Sequence, residues 1–292
     1  MNHGILIICH NNVKVIQSAM RILDDERFHF FIMKDKKSSI DVNELTTCIS
    51  KSSYTIVDGI PIYWAGYSYT EAVVKLLKAA LSDEKIDYFH MLQGADIPLK
   101  TPDEIDTFFE KNNGKNYVKF SENNFPGMAY RMACKHFFVD NSKYRVSKIV
   151  HNLDSLIARI QYPFHKNKSY YYHSALFSFN KDFVKYLVDH PDIVSKKYKY
   201  SVCADESLFG TIIMNSPYKD SLEAKIDTRF IDWKRRNGAS PHTFTMEDYD
   251  ILLNYMNKEN YIFARKFSES EDMNIVNQLQ DILLNKKNKS NK

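Results

Sequence analysis

An α/β fold, with a mostly parallel, Rossmann-like central sheet flanked by helices, is what the opening of this chain predicts. Residues 4–9 (GILIIC) and 28–33 (FHFFIM) are short, nearly continuous apolar runs of strand length, and between them residues 13–23 repeat their apolar side chains at helical spacing. Strand, helix, strand in that order makes a parallel pair, because the crossover helix returns the chain to the same end of the sheet. Bulk composition agrees: 44% hydrophobic and 14% aromatic content over 292 residues supplies a domain-sized core and excludes disorder for most of the chain.

Ligands of such sheets bind beyond the carboxyl ends of the strands, so His10-Asn11-Asn12 and residues 34–38 (KDKKS) share one candidate edge. Asp35 there suits a ribose or base hydrogen bond; it reads equally as one charge of a solvated lysine-rich turn. Residues 62–67 (IYWAGY), with Trp64, lead into Ser68, which with Glu71 has the spacing of a capping box before Ala72, Val73, Leu76, Leu77, Ala80 and Leu81. Residues 88–92 form a further strand. The loop 93–100 (QGADIPLK) then places Asp96 beyond its end, to receive ligand hydroxyls or to form a turn before Pro98. Thr101, Pro102 and Glu104 announce the next helix as cap, first helical residue and box partner.

After a strand at 116–120 the alternation stops. Residues 121–170 read as an insertion over the site, with one helix whose stripe is Val146, Ile149, Val150, Leu153, Leu156, Ile157 and Ile160. Phe125, Tyr130, Arg131, Tyr144 and Arg145 suit an acceptor-binding surface, because aromatic faces pack on ring ligands; ordinary packing explains most of them as well. Residues 175–179 resume the sheet, and Asn180 caps a helix over 181–190.

The chain is organised around residues 201–218 (SVCADESLFGTIIMNSPY). Asp205 and Glu206 open a segment whose Leu208, Phe209, Ile212 and Ile213 recur at helical spacing, with Pro217 ending it. A rigid helix holds its first turn still, as a catalytic base requires; dipole complementation explains the same acidic pair without any chemistry. Further on, Thr245 and Asp248 cap a helix reaching Met256, and residues 262–267 (IFARKF) set Arg265 and Lys266 among apolar neighbours. Cations so placed need an anion. A last amphipathic helix, 275–284, packs on the sheet, giving one domain over 1–285 and a basic tail over 286–292.

A formal charge of +4, from 40 basic and 36 acidic residues, lacks the concentrated footprint of a nucleic-acid binder. Four dispersed cysteines with no CxxC suggest neither zinc nor a disulfide framework and fit a reducing cytoplasm. No export signal is recognisable, and no run approaches the roughly 20 apolar residues that span a bilayer, so the expectation is a soluble protein or a peripheral one. The basic tail is a solvated end or a weak anchor to anionic lipid. The one D-x-D, Asp248-Tyr249-Asp250, lies where helix capping explains it, so no metal ligand is expected. Arg265 and Lys266 offer a substitute, since fixed cations neutralise a departing diphosphate without a bound ion. Glu206 would then take the proton from an attacking hydroxyl.

Four stretches in order, 62–68 (IYWAGYS), 93–100 (QGADIPLK), Ala204-Asp205-Glu206 with Asn215-Ser216-Pro217, and 263–267 (FARKF), resemble the core-2/I-branching β-1,6-N-acetylglucosaminyltransferase family, which also contains the peptide O-xylosyltransferases. The resemblance spans nearly the whole chain. It implies a GT-A fold, an inverting reaction, and use of a UDP-sugar with neither a divalent metal nor another cofactor. Under it Glu206 matches the catalytic base, Lys266 a diphosphate-binding lysine and Asp35 an aspartate on the nucleoside side. Arg265, His10 and Asp96 are further donor-side candidates; Trp64, Asp205, Arg229 and Trp233 are candidates on the substrate side.

The departures matter. An ungapped count back from Lys266 reaches Thr243 where the animal enzymes carry a diphosphate-contacting arginine, which leaves Arg265 for that role, and Met33 replaces a usual histidine. The animal enzymes' luminal cysteines and amino-terminal anchor are missing, so the chain looks like a bacterial member, cytoplasmic or peripheral on the inner face of the membrane. The implied activity moves a sugar, N-acetylglucosamine first and xylose or galactose next, onto a hydroxyl of a surface glycan, with a glycan or lipid-linked saccharide as acceptor. A catalytically silent carbohydrate- or nucleotide-binding module is the competing class, and survival of both Glu206 and Lys266 opposes it. A nucleotidyltransferase lacks support because no glycine-rich phosphate loop follows the first strand.

Overall fold

The computed structural model describes residues 1–121 and 127–290. Nine strands occur among them: β1 (His3–Cys9), β2 (Phe28–Lys34), β3 (Ser53–Val57), β4 (Tyr88–Gln93), β5 (Asp96–Pro98), β6 (Tyr117–Phe120), β7 (His173–Asn180), β8 (Arg229–Ile231) and β9 (Phe263–Arg265). The main sheet runs β3-β2-β1-β4-β7-β6, and β5-β9-β8 form a small second sheet. Around β1 the pairing is parallel, with the Val13–Leu23 helix as the crossover to β2. The sheet as a whole is mixed, because β7 runs antiparallel to both β4 and β6. A mostly parallel sheet was the expectation; the reversal comes where residues 121–170 interrupt the strand–helix alternation.

The unbroken apolar runs of the first strands have a simple cause. Leu6 and Ile8 point into one core layer with Phe31, Leu76, Leu77 and Phe177, while Ile5, Ile7 and Cys9 point into the opposite layer with Ile16, Phe30 and Ile32. Both faces are covered, so no polar alternation survives. Edge strand β3 lacks that signature, since only Val57 of its five residues is buried. The Met273–Ser290 helix joins a third apolar cluster with the Val13–Leu23 helix and the small sheet, through Ile275, Val276, Leu279 and Leu283. It extends through most of the expected basic tail: Lys286 pairs with Glu104 at 2.6 Å, and the buried Lys287 donates to the Asp24 carbonyl.

Two helix starts show how capping is solved. Thr101 and Glu104 form the expected capping box ahead of Pro102–Lys111. The Tyr67–Leu81 helix instead takes its cap from far away: the Asp140 carboxylate accepts the backbone N–H groups of Tyr67 and Ser68, each at 3.0 Å. Ser68 is freed to accept from the Tyr63 N–H at 2.9 Å, which is why its box with Glu71 does not form. Gly66 leaves room for this cap, because a Cβ at that position would lie 2.0 Å from Asp140 Oδ1 and displace it. A charged cap supplied by residue 140 ties the insertion to the first half of the domain.

Candidate active site

The carboxyl ends of β1 and β2 lie together, fixed where the Asp35 N–H donates to the Cys9 carbonyl at 2.9 Å. His10 is exposed at this edge, and its carbonyl accepts from Ser38 Oγ at 2.7 Å. Asp35 is half-buried. Its Oδ1 accepts the N–H groups of Lys37 (2.9 Å) and Ile62 (3.3 Å), and the Lys37 ammonium lies 3.5 Å from Oδ2. The carboxylate therefore organises its own turn while it faces the edge.

Asp205 and Glu206 do not begin an α-helix. They sit on a 3-10 turn, Ala204–Glu206, entered through a left-handed Cys203 (φ 52°), and the α-helix proper is the short Leu208–Met214. The pair therefore stands just ahead of the Ser207 cap of that helix rather than in its first turn. The turn is tied down from two sides: Cys203 N–H donates to the Ala65 carbonyl at 2.8 Å, next to Trp64, and Val202 N–H to the Arg131 carbonyl at 3.0 Å. Below it, Gly210 N–H donates to Nε2 of His173 at 2.9 Å. Burial holds the His173 pKa down to about 4, so the ring stays neutral and able to accept.

The two carboxylates meet different surroundings. Arg131 Nη1 donates to Glu206 Oε2 at 3.1 Å, each side chain being about a third exposed. Burial pushes the Glu206 pKa up, and the charge and hydrogen bond of Arg131 oppose that rise. Asp205 is pushed up to about 7, by burial first and by the Glu206 charge second. Burial thus raises both carboxyls, with Arg131 opposing the rise, and perturbed carboxyls of this kind are candidates for proton transfer.

Beside this pair a series of hydrogen bonds runs from Tyr69 to the cations. Tyr69 is close enough for the Asp205 charge to help burial raise its hydroxyl pKa, and that hydroxyl accepts from Gln93 Nε2 at 2.6 Å. The Gln93 N–H donates to Asp96 Oδ2 at 2.6 Å, and Asp96 Oδ1 pairs with Arg265 Nη1 at 2.8 Å across the β5–β9 register. Asp96 is buried and engaged on both oxygens, so it orients Arg265 rather than waiting for ligand hydroxyls. Lys266 follows, half-buried; its carbonyl accepts from Phe244 N–H, and its ammonium has no partner among the described residues.

Other candidates fall outside this series. Arg229 is buried and donates to the carbonyls of Phe177 (2.6 Å) and Met91 (3.2 Å) and to Thr228 Oγ1 (3.0 Å), tying β8 to β7 and β4; burial lowers its pKa to about 10. Its guanidinium is thus engaged within the fold, while the residue also lines the cavity beside Trp233. Trp233 is 52% exposed beside a cavity of about 220 Å³ that Lys119, Leu176 and Asp227 also line, and Trp64 is 58% exposed. Tyr144 is buried and Tyr130 donates to the Ser155 carbonyl at 3.3 Å, so both belong to packing. Phe125 and the Arg145 side chain lie outside the described residues. Asp248 closes the expected capping box, its carboxylate accepting the Thr245 N–H at 2.9 Å, and it also pairs with Arg235 (2.7 Å) and His242 (2.9 Å). Among the described residues no group of three or more His, Cys, Asp or Glu side chains is placed to hold a metal ion.

Sequence reasoning passed over Tyr69, gave the Gln93 side chain no role although it opens the 93–100 stretch, and gave Arg131 to an acceptor surface rather than to Glu206. Comparison with known proteins places the chain as a whole. Xylosyltransferase 2 of Canis lupus familiaris is 24% identical over 300 residues, which cover 93% of this chain and 32% of that protein. Xylosyltransferase 1 of Mus musculus is 24% identical over 241 residues, covering 75% of this chain and 24% of that protein. The chain thus spans a third or less of the length of these relatives. The crystal structure of mouse Xyloside xylosyltransferase 1, apo form, aligns over 90% of this chain and 96% of that one, with 10% identity and a TM-score of 0.43. The family model described as Core-2/I-Branching enzyme matches residues 5–256, which contain Asp35, Asp96 and the Asp205-Glu206 turn, and the chain belongs to that family.

Proposed function

We propose that this chain is an inverting, broadly GT-A-like glycosyltransferase that moves a sugar from a UDP-sugar to a hydroxyl of a glycan acceptor, with fixed cations in place of a divalent metal. The observation that carries the reading is the Asp205-Glu206 turn, with Arg131 paired to Glu206, beside the hydrogen-bonded series Tyr69, Gln93, Asp96 and Arg265, with Lys266 next in the chain. Glu206 accepts the acceptor hydroxyl's proton as that oxygen bonds to the anomeric carbon. The bond from that carbon to the UDP oxygen breaks on the opposite face, so configuration inverts and the electron pair leaves on the diphosphate. Arg265, aimed by Asp96, and Lys266 neutralise that charge, which preorganised donors do without reorganising during the step. Arg131 opposes the rise that burial imposes on the Glu206 pKa and orients its carboxylate. Asp35 and His10 stand on the nucleoside side, and Trp64 and Trp233 offer exposed rings to saccharides.

N-acetylglucosamine is the first donor sugar to try, and the xylosyltransferase relatives put xylose next, then galactose. Synthesis of a bacterial surface polysaccharide on a lipid-linked acceptor is the setting this reading favours. A screen of UDP release over several UDP-sugars, with and without EDTA, tests it. Turnover persisting in EDTA and lost in Glu206→Gln is expected. Loss in EDTA with recovery on added manganese would refute the substitution by fixed cations, and donor binding without turnover would favour the silent module.

A further inference from the structure

The helix Lys148–Gln161 is inverted in polarity. It turns Asp154 and Ala158 into the protein, whereas Ile149, Leu153, Leu156 and Ile160 face solvent at 81%, 46%, 57% and 65% exposure. At 100° per residue these four fall within an arc of roughly 60° opposite the buried pair. Val146 before the helix and Phe164 after it are also exposed, at 80% and 82%. Scattered exposed apolar residues are ordinary, but a contiguous face of this kind marks a contact surface.

Charge says what it contacts. Residues 141–169 contain Lys143, Arg145, Lys148, Arg159, Lys166 and Lys168 against one acid, the buried Asp154. The five lysine and arginine side chains other than Arg145 are exposed. Over the whole chain 40 basic residues face 36 acidic ones, so the excess is concentrated in this segment. Two copies packed through the patch would set like charges against each other across a two-fold axis. An anionic bilayer satisfies both features, taking the apolar stripe into the headgroup boundary and the cations onto phosphates.

We propose that this face of Lys148–Gln161, with Val146 and Phe164, docks on an anionic lipid bilayer. The expected basic tail is less suited, because Lys286 and Lys287 are engaged with Glu104 and the Asp24 carbonyl. The docking helix is coupled to the candidate base: His136 bridges Asp154 (2.7 Å) and the Tyr130 carbonyl (3.0 Å), and the next residue, Arg131, pairs with Glu206. Docking would hold Glu206 at a fixed height above the headgroups, as a lipid-linked acceptor requires. That last consequence alone rests on the transferase reading.

The test is cosedimentation of the full chain with vesicles of phosphatidylcholine and phosphatidylglycerol, against vesicles of phosphatidylcholine alone. Selective partition onto the anionic vesicles is expected. The Ile149→Ser/Leu156→Ser double variant should weaken it by at least about tenfold and Lys148→Glu/Arg159→Glu should abolish the anionic preference. Circular dichroism melts should stay at the wild-type position, since all four side chains are exposed. Absence of partition by the wild type overturns the proposal, as does partition unchanged in both variants. Partition lost instead in Lys289→Glu would move the contact to the carboxyl terminus. A dimer in sedimentation velocity that dissolves in the serine variant, without vesicle binding, would assign the face to a second copy. Vesicle binding is read without turnover, so failure of the transferase reading leaves this result interpretable.

Discussion

Replacing Arg131 with glutamine should move the pH dependence of the reaction by about one unit. The guanidinium lies 3.1 Å from Glu206 Oε2 and opposes the upward pull of burial on that carboxyl. A hydrogen bond to a charged group contributes about 1.5–3 kcal/mol, and exposed ion pairs about 0–1 kcal/mol. Both partners are about a third exposed, with side-chain values of 30% and 32%, so an intermediate figure of about 1–1.5 kcal/mol applies, and at 1.36 kcal/mol per unit it corresponds to roughly one pKa unit. The sign follows from the role: a general base works ionised, kcat/KM rises with pH as Glu206 loses its proton, and removal of the positive charge raises its pKa. The acidic limb of kcat/KM, which reports the free enzyme, should therefore shift to higher pH, costing about tenfold below the limb and little on the plateau. Arg131 also lowers the pKa of Asp205, so both carboxyls move the same way and the limb belongs to the pair. The assay is UDP release across pH with the donor found by screening. A limb that stays in place while the plateau drops would show that Arg131 only positions Glu206; a limb moving to lower pH would refute the reasoning.

Lys266→Ala should weaken UDP binding and turnover together, each by about tenfold or more, because the cation meets the diphosphate in ground and transition states alike; calorimetric titration with UDP that finds unchanged affinity removes Lys266 from the site. Asp205→Asn should stabilise the fold at pH 8 but not at pH 4. The folded-state pKa near 7 lies above the ordinary value of about 3.9, so the native state holds its proton longer and loses stability as pH rises between those values. Melting curves whose gap does not open with pH would contradict it. Gly66→Ala should cost about 1–2 kcal/mol, since its Cβ would displace the Asp140 carboxylate that caps Tyr67–Leu81. In an Asp140→Ala background the same change should cost much less, and equal costs in both backgrounds would show that the cap is not the cause.

What the sequence discloses, and what it hides, follows from the range over which each signal acts. The first parallel strands were legible because their cause is local: a strand covered on both faces must be apolar throughout, as residues 4–9 and 28–33 are. The Thr101 capping box was legible for the same reason, its donors and acceptors lying within three residues of each other. Ser68 and Glu71 carry a similar pattern, yet Asp140, seventy-two residues away from Ser68, takes the cap, and nothing local announces a partner at that distance. The stripe over 146–160 shows a second kind of silence. Periodicity reports that one face of a helix is apolar but not which way the face points, and here it points to solvent while an aspartate points in, held by His136. The site divides in the same way. Asp35, Glu206 and Lys266, the residues proposed for the site, could be singled out from short stretches of sequence, whereas the pairing of Arg265 with Asp96 across β5 and β9, and of Arg131 with Glu206, exists only once the chain has folded. Residues that must carry a charge in the reaction are constrained by type and so leave a mark in the sequence. Those that aim and tune them are constrained by position in space, and several side chains could satisfy that position from several places in the chain. The tuning residues are therefore where structure adds most, which makes Arg131 a sharper discriminator of the proposed mechanism than Glu206: loss of activity in Glu206→Gln fits many mechanisms, but a limb displaced upward by a neighbour's lost charge fits a carboxylate base held ionised by that neighbour.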